Sequence, residues 1–330
     1  MNPSHENLFV LVSSPLMYDL GEAIIRHLEG RKMQMAHHRI EYTSFANGEF
    51  LPYIPQPIRG QHAFFLHGLQ HPDPNSAVMK MLLTADAMRR ASVAGITLVT
   101  PYLPYLRQDR KDRARVPISA RLLADLIESN RTVKQLITID MHAEQEQGFF
   151  SIPVDNLTGV RLFSEHIRAK FGDDVKNLVA VAADFGAAVR TRRLARALGD
   201  IPAAIFEKRR PTPNQAEIVS VNGTSVAGKE VVIYEDMIDT GHTILGVIKT
   251  LKNMGARGVH VYATHGIFSG GAEKHFAAED SAVVCTDSIP RTVEYYQREK
   301  WLTRIPIDAY FAEAIYAATQ MGGSISRLAQ

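Results

Sequence analysis

Val231-Val232-Ile233-Tyr234-Glu235-Asp236-Met237-Ile238-Asp239-Thr240-Gly241-His242-Thr243 is the stretch around which the rest of the chain is read. Four consecutive apolar residues carry the signature of a strand buried on both faces of a sheet. Two acids end it. A small polar loop follows, and helix character resumes at Thr243-Ile244-Leu245. That order places backbone amides and Thr hydroxyls at a helix N-terminus, an arrangement suited to a phosphate monoester. Gly241 lets the backbone come close to such an anion. Glu235 and Asp236 cannot be phosphate ligands; they suit sugar hydroxyls, or a metal bridging to the sugar. An ordinary strand–turn–helix with a Thr cap, its acids favouring the helix start, would use the same residue types.

The same rhythm extends in both directions. Residues 8–12, 63–66, 96–99 and 136–139 are short apolar runs, separated by amphipathic stretches such as 78–92 and 119–129. After about residue 155 the alternation restarts, with helix 159–171, strand 178–182, helix 186–197 and strand 203–206. Strands at 231–234, 259–262 and 282–284 follow. Apolar strands alternating with helices predict an α/β protein with parallel sheets covered on both faces. We read two domains of similar build, 1–155 and 156–330.

Composition narrows the class. A net charge of +2 over 330 residues argues against a nucleic-acid binder driven by bulk charge, but permits a local cationic pocket. The single cysteine, Cys285, excludes an intrachain disulfide and a cysteine-based zinc site. It lies in an apolar run and is expected to be a buried, inert thiol. Neither a secretory signal nor an apolar stretch long enough to span a membrane is visible, so a cytoplasmic protein is expected.

Three further segments carry charge or metal-binding chemistry. Residues 107–115, Arg-Gln-Asp-Arg-Lys-Asp-Arg-Ala-Arg, form a cationic loop after the strand at 96–99. Arg holds phosphate oxygens bidentately and stacks on bases. Residues 138–145 end another strand with Asp140 and His142. Their spacing of two would point both side chains the same way in a strand. Residues 206–214, with Lys208-Arg209-Arg210 followed by Pro211 and Pro213, are expected to be a loop that does not pack, a cationic flap over a polyphosphate.

Residues 231–243 resemble the phosphoribosyl-diphosphate loop of phosphoribosyltransferases and phosphoribosyl-diphosphate synthetases. The chain as a whole resembles the ribose-phosphate diphosphokinase family. The likeness runs through 44–49, 89–92, 101–110, 116–120, 140–155, 208–210, 263–270 and 312–315. The run His142-Ala143-Glu144-Gln145 with residues 147–155 is particularly specific, and plain phosphoribosyltransferases lack it. The resemblance implies two phosphoribosyltransferase-like domains, ATP and ribose 5-phosphate as substrates, and Mg2+. It also implies homo-oligomers, dimers often arranged as hexamers, with ATP sites shared between subunits. Membrane and nucleic-acid partners are not expected.

It implies residue roles as well. Phe45, Asn47 and Glu49 would meet adenine from a neighbouring subunit. Arg107, Gln108 and Asp109 would hold the nucleotide. His142 and Asp184 would sit at the magnesium–ATP site. Glu235 and Asp236 would face the ribose, with Asp184 beside it, and Asp239, Thr240, Gly241, His242 and Thr243 would wrap the 5-phosphate. Lys208 and Arg210 would be the catalytic cations. A purine phosphoribosyltransferase and a non-catalytic regulatory subunit are the competing readings. The first leaves the N-terminal half and residues 208–210 unexplained; the second is opposed by the presence of His142, Asp184, Lys208, Arg210 and Asp239.

Some positions depart from the family pattern. Glu235 stands where an aspartate is usual, and His242 where a second glycine is usual; both variants look like those of purine phosphoribosyltransferases. His242 adds bulk and a titratable donor beside the phosphate, so sugar-phosphate affinity or its pH response would differ. Lys80 replaces a customary acid. Ile307-Asp308-Ala309 lacks a serine that belongs to the family's phosphate-activation and ADP-inhibition region. A carboxylate there repels inorganic phosphate. Added phosphate should therefore stimulate turnover weakly or not at all; strong stimulation in an AMP-release assay would contradict this.

Overall fold

The computed structural model describes residues 8–69, 73–212, 215–222, 224–279 and 282–329, with backbone only for 207–212 and 215–222. The chain divides into two compact units. One contains residues 1–158 and 306–330, the other residues 159–305.

In the first unit β1 (Phe9–Ser13), α1 (Tyr18–Gly30) and β2 (Ala36–Arg39) are followed by a separate antiparallel hairpin, β3 (Glu41–Ser44) and β4 (Phe50–Tyr53). Then come β5 (His62–Leu66), α2 (Pro74–Arg90), β6 (Gly95–Val99), α3 (Ser119–Ser129), β7 (Val133–Ile139) and β8 (Val154–Leu157). The sheet order is β2-β1-β5-β6-β7-β8, all parallel. Val10, Val12, Phe65, Leu98 and Leu136 pack on one face against Met81 and Met88 of α2 and Leu123 and Ile127 of α3. Leu11, Phe64, Val99 and Ile137 of the opposite face are buried as well, and burial of both faces explains why these strands read as unbroken apolar runs.

The second unit opens with α4 (Val160–Phe171), β9 (Leu178–Ala182), α5 (Ala188–Ala197) and the antiparallel pair β10 (Ala203–Thr212) and β11 (Gln215–Asn222). It continues through β12 (Glu230–Ile238), α6 (His242–Asn253), β13 (Gly258–Gly266), α7 (Ala272–Ala278), β14 (Ala282–Thr286), α8 (Val293–Arg298) and β15 (Leu302–Ile305). The order is β11-β10-β9-β12-β13-β14-β15, parallel apart from the β10–β11 edge. Period-two alternation sorts β12 between two cores. Val231 and Ile233 join Ile244, Val247 and Ile248 of α6. Val232 and Tyr234 join Phe163 and Ile167 of α4 and Leu194 of α5. Cys285 is buried in β14, as expected, and burial pushes its thiol pKa up.

Three expectations change. The C-terminal helix α9 (Asp308–Thr319) packs on α1, so residues 306–330 belong with the first unit rather than with the second domain of the sequence reading. Its buried Tyr310 donates its hydroxyl to the carbonyl oxygens of Thr158 and Leu328, and Asp308 lies 3.4 Å from His27. An apolar helix carries no mark of which sheet it will cover, which is why the sequence placed it by proximity. Residues 206–212 are not an unpacked loop. Phe206 pairs with Val221, Lys208 with Ile218 and Thr212 with Gln215 in the hairpin, whose register shifts around Pro211, a residue with no N–H to give. β7 ends at Ile139, so the two-residue alternation assumed for Asp140 and His142 does not apply. Among the described residues no helix is long and apolar enough to cross a membrane.

Phe163 is fully buried and meets Tyr234 and Tyr262 edge-on at 5.1 and 5.5 Å. Phe163→Ala should lower the unfolding free energy by about 3–5 kcal/mol, read from urea denaturation.

Candidate active site

The loop after β12 is set by what surrounds that strand. β9 pairs with β12 only as far as Ile233, whereas β13 runs alongside to Ile238. Glu235 and Asp236 therefore project past β9 at the carboxyl edge of the sheet, where open α/β sheets place their ligands. The chain then turns at Gly241, whose φ of +77° favours glycine. A Cβ there would lie 2.6 Å from the ring of Phe276. Phe276 stacks on Trp301 at 5.1 Å, and Phe268 meets both rings edge-on. Gly241 is thus required twice, by conformation and by space.

α6 begins at His242 with Gly241 as N-cap and no side-chain cap. The Thr-cap explanation of the motif is therefore removed, and the exposed side chains of Thr240 and Thr243 are not spent on closing the helix. A second segment walls the loop. Ser269 donates a short hydrogen bond to Asp239, and Gly270 approaches the methyl group of Thr240. Arg291 holds that segment by donating to the carbonyl oxygens of Ile267 at 2.6 Å and Gly266 at 3.4 Å.

The acids are unequal. Asp236 continues the face of Tyr234, the side covered by α4 and α5, and there Arg190 of α5 makes a short ion pair with it. Glu235 has one buried carboxylate oxygen with no hydrogen-bond partner. Burial, with the charges of Asp236 and Asp184 adding to it against the opposing pull of Arg190, pushes its carboxyl up to about 8. Asp184 follows β9 in an exposed turn, and its carboxylate accepts the Ala187 amide at 3.0 Å, leading into α5. α5 starts two residues later than expected, at Ala188, because Asp184-Phe185-Gly186-Ala187 is used for this turn. Asp184, Glu235, Asp236 and residues 239–243 are thus brought to one edge of the second unit.

In the first unit the expected residues occupy three segments. Phe45, Asn47 and Glu49 form the exposed β3–β4 turn, closed by Phe45 N–H to Glu49 C=O at 2.8 Å and by Glu49 N–H to Asn47 Oδ1 at 3.1 Å. Arg107, Gln108 and Asp109 lie in the loop after β6, between Tyr105 and Arg115, both at positive φ. Ser119 of α3 donates to the Gln108 side chain and anchors that loop. His142 follows β7, the neighbour of β6, so both segments leave the same sheet edge. Asp140 bends away at φ +44°, Met141 N–H donates to Asn156 Oδ1 at 3.0 Å, and Ala143 N–H donates to buried Glu146 at 2.9 Å. This strained turn, rather than strand alternation, orients His142. The side chains of Lys208 and Arg210 lie outside the described residues.

Sequence reading missed Arg190, Ser269, Arg291 and Phe276. Arg190 sits among four arginines in seven residues of α5, where nothing local marks the one that turns inward. Ser269 lay in a stretch of family likeness but had no role until β13 placed it beside Asp239.

For a metal, no group of three or more His, Cys, Asp or Glu side chains is gathered among the described residues. Magnesium is commonly held by one or two carboxylates together with substrate phosphates. In the second unit the exposed Asp184 offers a carboxylate of that kind, and in the first unit, taken by itself, the half-buried His142 offers an imidazole.

A family model described as the N-terminal domain of ribose phosphate pyrophosphokinase matches residues 9–130, and one for the phosphoribosyl transferase domain matches residues 156–297. The ribose-phosphate pyrophosphokinase of Vibrio cholerae is 42% identical over 83% of this chain and 85% of its own. That of Corynebacterium efficiens is 37% identical over 98% of this chain and 96% of its own. The crystal structure of phosphoribosylpyrophosphate synthetase from Mycobacterium smegmatis superposes with a TM-score of 0.83 at 31% identity, covering 94% of this chain and 98% of that one. With both halves matched in order and relatives aligned along nearly its whole length, the chain belongs to the ribose-phosphate pyrophosphokinase family.

Proposed function

We infer that the protein transfers the β,γ-diphosphoryl group of ATP to the 1-hydroxyl of ribose 5-phosphate, giving 5-phosphoribosyl 1-diphosphate and AMP. The observation that carries this reading is the union, in one chain, of the 239–243 loop with an entire N-terminal unit of the pyrophosphokinase type. A purine phosphoribosyltransferase would need only the second unit.

The anomeric oxygen attacks the β-phosphorus. An O1–Pβ bond forms, the bond from Pβ to the bridging oxygen breaks, and AMP leaves with that oxygen. The hydroxyl proton is released, and no residue is assigned to take it. Transfer of this kind depends on alignment and charge neutralisation rather than covalent help. Residues 239–243 hold the 5-phosphate through α6 amides and the Thr240 and Thr243 hydroxyls. Asp236, paired with Arg190, accepts hydrogen bonds from the ribose hydroxyls. Glu235, neutral at pH 7, donates one as a carboxylic acid.

Arg107, Gln108 and Asp109 bind the nucleotide. Phe45, Asn47 and Glu49 are offered to the adenine of a neighbouring subunit in a homo-oligomer built from dimers. His142 of the first unit and Asp184 of the second would each be of a chemistry to ligate a magnesium ion that accompanies ATP. Magnesium supplies charge withdrawal from the diphosphoryl oxygens. Lys208 and Arg210 of the β10–β11 hairpin neutralise charge building toward AMP.

Incubation with magnesium, ATP and ribose 5-phosphate should release AMP and 5-phosphoribosyl 1-diphosphate in equal amounts, identified by mass spectrometry. A chain that instead couples a nucleobase to 5-phosphoribosyl 1-diphosphate would reverse the reading. Lys208→Ala and Arg210→Ala should each reduce turnover by about 10³–10⁵ while ribose 5-phosphate still binds. Equal loss of sugar-phosphate binding would remove the assignment.

Glu235 also makes a stability prediction. Its folded pKa lies above the unfolded value, so its contribution is full at low pH and lost as pH rises through about 8. Glu235→Gln should flatten that part of the Tm–pH curve in the ligand-free protein.

A further inference from the structure

His242 is the first residue of α6, and His275 lies on α7. Their rings meet at 5.2 Å between centroids, inclined by 44°, and both side chains are exposed. The contact follows from how the two helices are joined. Phe276, next to His275, is pressed against Gly241, next to His242. At the other end Lys252 of α6 donates to the Glu279 carbonyl oxygen at 3.2 Å. His275 is therefore delivered to the first turn of α6 by the same packing that requires a glycine at 241.

We propose that His242 and His275 form a titrating clamp at the mouth of the loop, taking up a proton when the dianion of a sugar 5-phosphate binds. The inference rests on reading residues 239–243 as the 5-phosphate loop.

A dianion arriving at the helix start favours the protonated form of an imidazole beside it. Among the described residues, few charged groups flank the pair on α6, α7 and the preceding loop. α6 has no acid in its first turn, and its cations Lys249 and Lys252 lie two or more turns on. α7 presents Glu273, which accepts the Tyr295 hydroxyl at 3.3 Å, and Lys274. The preceding loop presents Asp239, which accepts from Ser269. The incoming phosphate thus adds the principal new negative charge beside the rings. A phosphate monoester has its second pKa at about 6, so a sugar 5-phosphate arrives largely as the dianion at pH 7.

The test is calorimetric titration of ribose 5-phosphate into the full chain with magnesium and α,β-methylene-ATP, which cannot transfer its diphosphoryl group. Buffers of different ionisation enthalpy report the protons exchanged. The wild type should take up protons near pH 7, and its affinity should fall about three- to tenfold toward pH 8.5. His275→Gln and His242→Gly should each remove most of the uptake and most of the alkaline fall. The phosphate's own titration is common to all three proteins and cancels in the comparison. Ribose 5-phosphate binding with the same proton exchange in all three overturns the clamp alone. No binding to the wild type overturns the 5-phosphate reading and the clamp together.

Discussion

The contact between Gly241 and the ring of Phe276 fixes the geometry on which the rest of the second unit's site depends. A left-handed turn is tolerated there because glycine has no Cβ, and it is stable there because an aromatic face fills the space a Cβ would need. Phe276 is itself held by Trp301 and Phe268. The position of the α6 N-terminus is therefore decided by a hydrophobic stack behind the loop, where water cannot compete. The polar groups in front are left available for ligand.

Electrostatics then divides labour among acids that would otherwise repel one another. One arginine from α5 pairs with Asp236 and acts through its charge on Glu235. Glu235 is buried beside that pair and is driven toward its neutral form. The same edge thereby presents acids of unequal charge. The turn at Asp184 supplies a third, exposed carboxylate. Ser269 and Arg291 tie the neighbouring segment to Asp239, so the loop has two walls rather than one.

Much of this was legible in the residues. The strands of both sheets read as apolar runs because parallel sheets bury both faces, and α3 was found to the residue. The span of β12 was underestimated, since Glu235 to Ile238 keep strand pairing with β13 after the apolar run ends. Residues 206–212 were read as a loop because cations and prolines mark a loop locally, yet an antiparallel partner three to fifteen residues on makes them a strand. Asp140 and His142 were read with strand alternation, whereas β7 ends at Ile139 and Asp140 turns away at positive φ.

What the sequence by itself determined was the type and order of most elements and the family resemblance of the loop. These depend on short-range pattern and on side-chain chemistry, both written locally. What only the tertiary structure decided was which arginine faces inward, which serine meets Asp239, which histidine lies against His242, and that α9 covers the first unit. Each of those joins residues distant in the chain, and no local periodicity records a partner chosen by packing.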